Sequence, residues 1–302
     1  MSTRILKLLT ILKKDEPICI IGHDNPDVDS TIAGILLAKL LKFLGYQAEF
    51  KILQKVKKND SWKILMDLTD IDMTEYEKDI EDESCKIILV DHYKTSHAGE
   101  VLACIDHHPT YEKNTYPFSY VRNCTAAAYM VYELMKEANY PIKAVDAKHV
   151  IIAMMVDTIS FKSSKAIPEE AEVAKALAEE FGLNYEYLEH YCFCLTPIDT
   201  MSTEEIICNG QKKYNYNDSK VVSAYVQIYG MPKPSDIEEW IFMMRFNCLN
   251  NGVDMYVFLI FNLKDGITHE YRVRGTSIEK FCHDGILSRG LDIMPKIEKL
   301  FL

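Results

Sequence analysis

Aspartate and histidine gather in four short segments of this 302-residue chain. The first is Gly22-His23-Asp24-Asn25-Pro26-Asp27-Val28-Asp29-Ser30. The second, Asp91-His92-Tyr93, directly follows Ile87-Ile88-Leu89-Val90. The third, Asp106-His107-His108, follows Ala103-Cys104-Ile105, and the fourth, Asp157-Thr158, follows Ile151-Ile152-Ala153-Met154-Met155-Val156. Carboxylates beside buried apolar segments are costly unless something satisfies them. Four such loops meeting at one place would repel strongly unless cations neutralised them. A pair of divalent ions sharing ligands is the simplest resolution. Mixed imidazole and carboxylate donors suit Mn²⁺ better than Ca²⁺ or structural Zn²⁺. Two such ions activate a water and clamp a phosphoryl oxygen.

Each segment alone has an ordinary explanation. An Asp-Ser pair before a helix is usually an N-cap, and Asp29 or Ser30 would serve. A lone His-His is more often incidental than ligating. Successive side chains alternate on an extended segment, so His107 and His108 should face different ways, one to metal and one to substrate or structure. The four segments together carry the signal.

The elements that must position them alternate. Pro17 to Gly22, Gln47 to Leu53, Lys86 to Val90 and Val101 to Ile105 read as strands. Ser30 to Phe43, Thr125 to Ala138 and Glu169 to Phe181 read as helices, and Ala147 to Val156 as a helix or strand–helix junction. This predicts an α/β domain with a parallel sheet and its site at the carboxyl edge. The rhythm breaks across Tyr191–Asp199, with Pro197 near its end, which sets domains at 1–190 and 199–302. The second is a smaller α+β unit: strands over Lys220–Tyr229, Asp254–Asn262 and Ile267–Arg274, helices over Ser235–Leu249 and Ser277–Asp284.

The four segments resemble, in order, the four motifs of the DHH phosphoesterase superfamily. Nearly end to end the chain resembles the family II, manganese-dependent inorganic pyrophosphatases. Asn123-Cys124-Thr125 opens the next helix as in that family, and Asp157 to Ser163 is similar to its fourth motif and trailing segment. The resemblance implies an N-terminal parallel-sheet DHH domain, a C-terminal substrate-binding domain and an active site in the cleft between them. It implies two Mn²⁺ per subunit, one held by His23, Asp27 and Asp91, the other by Asp29, Asp91, His107 and Asp157. A bridging hydroxide would attack phosphorus, and a further Mg²⁺ would arrive with the substrate. Asp91 and His108 are the implied catalytic residues; His108, Lys212 and Arg289 would bind substrate. The implied activity is hydrolysis of inorganic diphosphate to two phosphates by a homodimer.

Departures from the family pattern lie on the substrate side. Gly210 stands where the family has an Asp near its lysine. Gly290 and Leu291 replace basic residues of the C-terminal signature, within Leu287 to Pro295. Tyr93 replaces an Asn, placing a bulky ring beside the metals. These changes motivate an alternative: a related DHH phosphohydrolase acting on short polyphosphate or a small nucleotide.

Composition narrows the classes. With 34 basic and 45 acidic residues the net charge is −11, which opposes nucleic-acid binding by the whole surface. No apolar run reaches the roughly 18 residues of a membrane span. The nine cysteines include no C-x-x-C pair, so reduced thiols in a cytoplasmic protein are expected. The remaining histidines, His149 among them, read as structural or surface residues.

Overall fold

The computed structural model describes residues 3–57, 60–78, 85–94, 99–108, 116–163, 166–193, 198 and 201–302. Most of the expected boundary stretch, Pro197 included, lies outside them. The chain forms two compact units, Met1–Phe161 with Lys165–Cys192, and Lys162–Ser164 with Phe193–Leu302. No helix among the described residues is long and apolar enough to cross a membrane.

The first unit is built on five parallel strands: β1 Ile18–Ile21, β2 Ala48–Lys51, β3 Lys86–Val90, β4 Val101–Asp106 and β5 Phe118–Val121. Their order is β2-β1-β3-β4-β5. All four residues of β1 and the last four of β3 are buried. Such continuous apolar runs are what a covered parallel sheet requires. Its helices include α1 Thr3–Thr10, α2 Val28–Phe43, α3 Asp60–Thr69, α4 Ala127–Glu137, α5 Ala144–Thr158, α6 Pro168–Glu180 and α7 Tyr185–Phe193. The helices α2, α4 and α5 pack on one another.

Two local expectations change here. The cap of α2 is Asp27, not Asp29 or Ser30. Asp27 accepts from Ser30 N at 2.9 Å, and Ser30 Oγ answers the Asp27 N–H at 3.2 Å. This reciprocal box outranks the single-residue caps, and it carries Asp29 into the buried first turn. The Ala147–Val156 segment is wholly helical, so Asp157 stands in the last turn of α5 and not in a loop after a strand. Three successive residues, Ile159, Ser160 and Phe161, then take left-handed φ of 53°, 51° and 59°. They end the helix: Ser160 N reaches Met155 O at 2.7 Å, and Phe161 N reaches Thr158 Oγ1 at 2.9 Å.

The second unit holds a mixed sheet of order β10-β9-β8-β7-β6. Its strands are β6 Lys212–Tyr216, β7 Ser219–Ile228, β8 Met255–Asn262, β9 Ile267–Arg274 and β10 Ser277–Asp284. Only β7 and β8 run parallel. The helices α8 Thr203–Cys208 and α9 Pro234–Asn250 cover one face, where Val222, Ala224, Trp240, Met244 and Phe258 form the core. Ser277–Asp284 is therefore a strand and not the expected helix. Gly275, at φ 56°, opens a two-residue turn that lays Ser277 opposite Arg274. Glycine adopts that conformation without cost, which favours a hairpin.

The expectation of reduced thiols throughout also changes. Cys19 and Cys85, 66 positions apart, are joined by a disulfide with Cα atoms 6.3 Å apart. Adjacency of β1 and β3 brings them together, a relation no sequence spacing reveals. Among the described residues, six other cysteines are free.

His149 is a buried residue of α5, with no hydrogen-bond partner for either ring nitrogen among the described residues. Burial, aided by the Lys39 charge, lowers its pKa from 6.5 to about 4. The folded state thus binds this proton less tightly than the unfolded chain. Stability is full above pH 6.5 and is lost as pH falls towards 4, by about 3 kcal/mol. In urea titrations at pH 7 and pH 4.5, the stability of His149→Leu relative to the parent should rise at the lower pH by most of that amount. An acid loss equal to the parent's would refute the assignment.

Candidate metal centre

Three adjacent strands deliver the chemistry. His23 stands two residues beyond β1, Asp91 directly follows β3, and Asp106 ends β4 with His107 and His108 after it. This is the carboxyl edge of a parallel sheet, where side chains from neighbouring strands converge. Asp91 turns back at φ 63°, a left-handed conformation that Asp tolerates better than most residues. Its own N–H is held by Ile105 O at 2.8 Å.

Asp91 is the hub. Its Oδ2 lies 3.4 Å from His23 Nε2, and its Oδ1 lies 3.1 Å from His107 Nε2 and 3.6 Å from His108 Nδ1. His107 Nε2 also faces Asp29 Oδ2 at 3.7 Å and Asp157 Oδ2 at 3.9 Å. Among the described residues, two triads have donor atoms within 4.8 Å of one another: His23, Asp91 and His108; and Asp29, Asp91 and His107. Asp91 belongs to both. Asp27 is in neither triad; its Oδ1 is engaged by Ser30.

Both imidazoles of the His107-His108 pair thus approach one carboxylate, contrary to the expected alternation. The chain has left the strand: Asp106 Oδ1 accepts from His108 N at 3.1 Å and from His108 Nδ1 at 2.9 Å. That Asx turn brings the second ring round. The ring centroids are 4.5 Å apart.

Two contacts orient the donors. His107 Nδ1 lies 3.0 Å from Cys124 O. A carbonyl can only accept, so the proton sits on Nδ1 and the lone pair on Nε2 faces the carboxylates. Asp29 accepts from Ala127 N at 2.6 Å and from Ala128 N at 2.9 Å. Ala126, the N-cap of α4, supplies no side-chain cap; Asp29 caps that helix from 98 residues away. The helix N-terminus in turn favours its negative charge.

The donor set fits divalent ions on observations of the protein alone. Asp91 Oδ1 and His107 Nε2 are buried without a hydrogen-bond partner among the described residues. Burial raises the Asp29 carboxyl from 3.8 to about 6; His107 opposes this and Asp157 adds to it. Burial, then the Asp29 charge, pushes Asp91 well above the usual carboxylate range. Asp157 stands at a helix C-terminus, the unfavourable end for an anion. A cation among these groups would reverse every one of these penalties. At His108 the sign differs: the bond to Asp106 raises its pKa. Burial alone would raise Asp106, yet its bonds from His108 hold it below the usual range.

Residues 17–158 match the model of the DHH family, N-terminal domain. That segment holds all four of the Asp- and His-bearing motifs, His23 to Asp157. Among relatives, it is 27% identical to an Enterococcus faecalis protein named "Probable manganese-dependent inorganic pyrophosphatase", over 94% of this chain and 99% of that one. It is 26% identical to the manganese-dependent inorganic pyrophosphatase of Methanocaldococcus jannaschii, over 93% and 98%. The fold is similar to a solved structure described as "Methanococcus jannaschii putative family II inorganic pyrophosphatase", with a TM-score of 0.64 at 24% identity over 93% and 98%. It is also similar to an exopolyphosphatase-related protein from Bacteroides fragilis, with a TM-score of 0.54 at 13% identity over 100% and 98%.

In the first unit, the structure brings His23, Asp29, Asp91, His107, His108 and Asp157 together. Lys212 and Arg289 belong to the second unit, Lys212 exposed at the start of β6. Arg289 Nη1 donates to Gly210 O and, at 3.5 Å, to Ser223 O, and the guanidinium lies 5.1 Å from the Tyr225 ring centroid. Gly210, at φ 57°, is needed there, since an added Cβ would sit 2.4 Å from Tyr225 Cε1. Tyr93 stands two residues after Asp91. Its ring packs against the cluster of Ile21, Ile87, Leu89 and Cys104. Sequence reasoning gave no role to Asp106, although it sits inside a motif, and missed the α4 N-terminus, which has no sequence signal.

Proposed function

We propose that this protein hydrolyses inorganic diphosphate to two phosphates with manganese as its cofactor. The observation that carries the reading is Asp91, one buried carboxylate shared by two imidazole–carboxylate triads. His23, Asp27 and Asp91 would hold one Mn²⁺; Asp29, Asp91, His107 and Asp157 would hold a second. Bound there, divalent ions lower the pKa of a water towards about 7 and neutralise phosphoryl oxygens. His108 keeps its Nδ1 on Asp106, so its Nε2 is the nitrogen available to a substrate phosphate. Its raised pKa favours the cationic form that binds an anion. Lys212 and Arg289 would bind phosphate, and Mg²⁺ would accompany the substrate. The relatives' names support diphosphate as substrate. The reading includes a cytoplasmic homodimer with no nucleic-acid or membrane partner.

A second reading rests on Gly290 and Leu291. Leu291 is 71% exposed, so the segment offers an apolar side chain where a clamp of positive charge is expected. Short polyphosphate or a small nucleotide would then be the substrate. Phosphate release from diphosphate, tripolyphosphate and small linear and cyclic nucleotides, with Mn²⁺, separates the two. Diphosphate should be turned over fastest; a nucleotide far ahead of it would replace the leading reading. No Mn²⁺-dependent hydrolysis of any of them would indicate a binding protein.

Arg289→Ala should raise KM for diphosphate about 10- to 100-fold and lower kcat by a smaller factor, because it removes binding more than chemistry. Initial-rate kinetics would contradict this if KM stayed at the parent value.

A further inference from the structure

Glu170 is a carboxylate with no place in the assignment above, yet it is 7% exposed and saturated with donors. It lies in the first turn of α6. Its Oε2 accepts from Thr125 N at 2.8 Å and from Thr125 Oγ1 at 2.7 Å, and its Oε1 accepts from Arg122 Nη1 at 2.9 Å. The Cys124 thiol lies 3.5 Å from both oxygens. Arg122 Nη1 also donates to Asn123 O at 3.1 Å. Every residue from 122 to 125 is thereby tied, directly or through Arg122, to one buried group 45 or more positions away.

That loop performs two tasks at the metal centre. Its Cys124 carbonyl sets the tautomer of His107. Its exit into α4 aims the Ala127 and Ala128 N–H groups at Asp29. A buried ion pair is weak evidence for a gain in stability. What this one offers is a rigid loop, and outer contacts of this kind typically change metal affinity 10- to 100-fold.

We propose that Glu170 is a positioning residue for the second metal site: by fixing the 122–126 loop it holds His107 and Asp29 in the orientation that binds the ion. This rests on the reading of that cluster as a metal centre. The Asn123-Cys124-Thr125 segment thereby gains a physical role.

The test compares the parent with Glu170→Gln, Glu170→Ala and, as a control, Arg4→Ala. Arg4 pairs with Glu133 and Glu137 in the same ionic network but touches no residue of the loop. Isothermal titration with Mn²⁺ gives the affinity, and ¹⁵N shifts of the His107 ring in metal-free protein give the tautomer. Glu170→Ala should weaken the second site about 10- to 100-fold, with a smaller loss in the isosteric Glu170→Gln. Both should broaden the single Nδ1-protonated signal into a mixture. Arg4→Ala should lower stability and leave affinity and tautomer unchanged. Parent-like Mn²⁺ affinity in both Glu170 variants would overturn the proposal while leaving the metal reading intact. If the parent binds no Mn²⁺ the reading itself fails, and an unchanged His107 tautomer in Glu170→Gln would then remove the positioning role as well.

Discussion

Replacing Asp91 by Asn should remove manganese-dependent turnover and at the same time raise the melting temperature of the metal-free protein. Two groups of donors share this carboxylate, so one substitution disturbs both ion sites. Divalent ions supply several kcal/mol of charge stabilisation in phosphoryl chemistry, which converts to a loss of about a thousandfold or more. The stability gain has the opposite origin. Without ions, Asp91 is buried against Asp29, Asp27 and Asp157, and its pKa lies well above the usual carboxylate range. A neutral amide removes that penalty. Asn also accepts the left-handed φ of 63° at this position, whereas Ala would add about 1–2 kcal/mol of backbone cost. Calorimetry with and without Mn²⁺, beside a phosphate-release assay, checks both halves. Near-normal turnover in Asp91→Asn, or an undiminished Mn²⁺-induced rise in melting temperature, would remove Asp91 from the hub.

The hub was legible because its signal is local. Four buried apolar residues run straight into Asp91, and Ala103-Cys104-Ile105 into Asp106; a strand followed at once by Asp and His needs no tertiary knowledge to stand out. Asp27 was harder. Asp27, Asp29 and Ser30 are all good caps, and the choice is made by the reciprocal bond between Asp27 and Ser30, which depends on where the turn begins. Ser277–Asp284 has no clear period, and its pairing with β9 decides its state. Glu170 carries no sequence signal at all. It sits in a helix whose outer face reads as solvated, and only the fold sets it against a loop 45 residues earlier. Lone pairs and loops that orient a site are therefore the part that sequence periodicity passes over.

The metal centre should also reverse the pH dependence of stability. In the metal-free protein, burial raises Asp29 from 3.8 to about 6. The folded state holds this proton more tightly than the unfolded chain, so the associated stability is full below about pH 4 and is lost as pH rises through 6. The magnitude is about 3 kcal/mol. Asp91, pushed well above the usual carboxylate range by burial and the Asp29 charge, adds a loss of the same sign. Ions bound among these carboxylates prefer the ionised forms, so their affinity, and the stability they add, must grow over the same interval. His149 titrates in nearly the same window with the opposite sign, and in the metal-free protein the two slopes largely cancel. It is present in both forms, however, so it drops out of their difference. Melting temperatures with excess Mn²⁺ minus those with chelator should climb steadily from pH 4.5 to 7.5. In Asp29→Asn the climb should be shallower. A difference independent of pH would mean that the ion binds without displacing a proton from Asp29 or Asp91, and the shared-carboxylate centre would have to be abandoned.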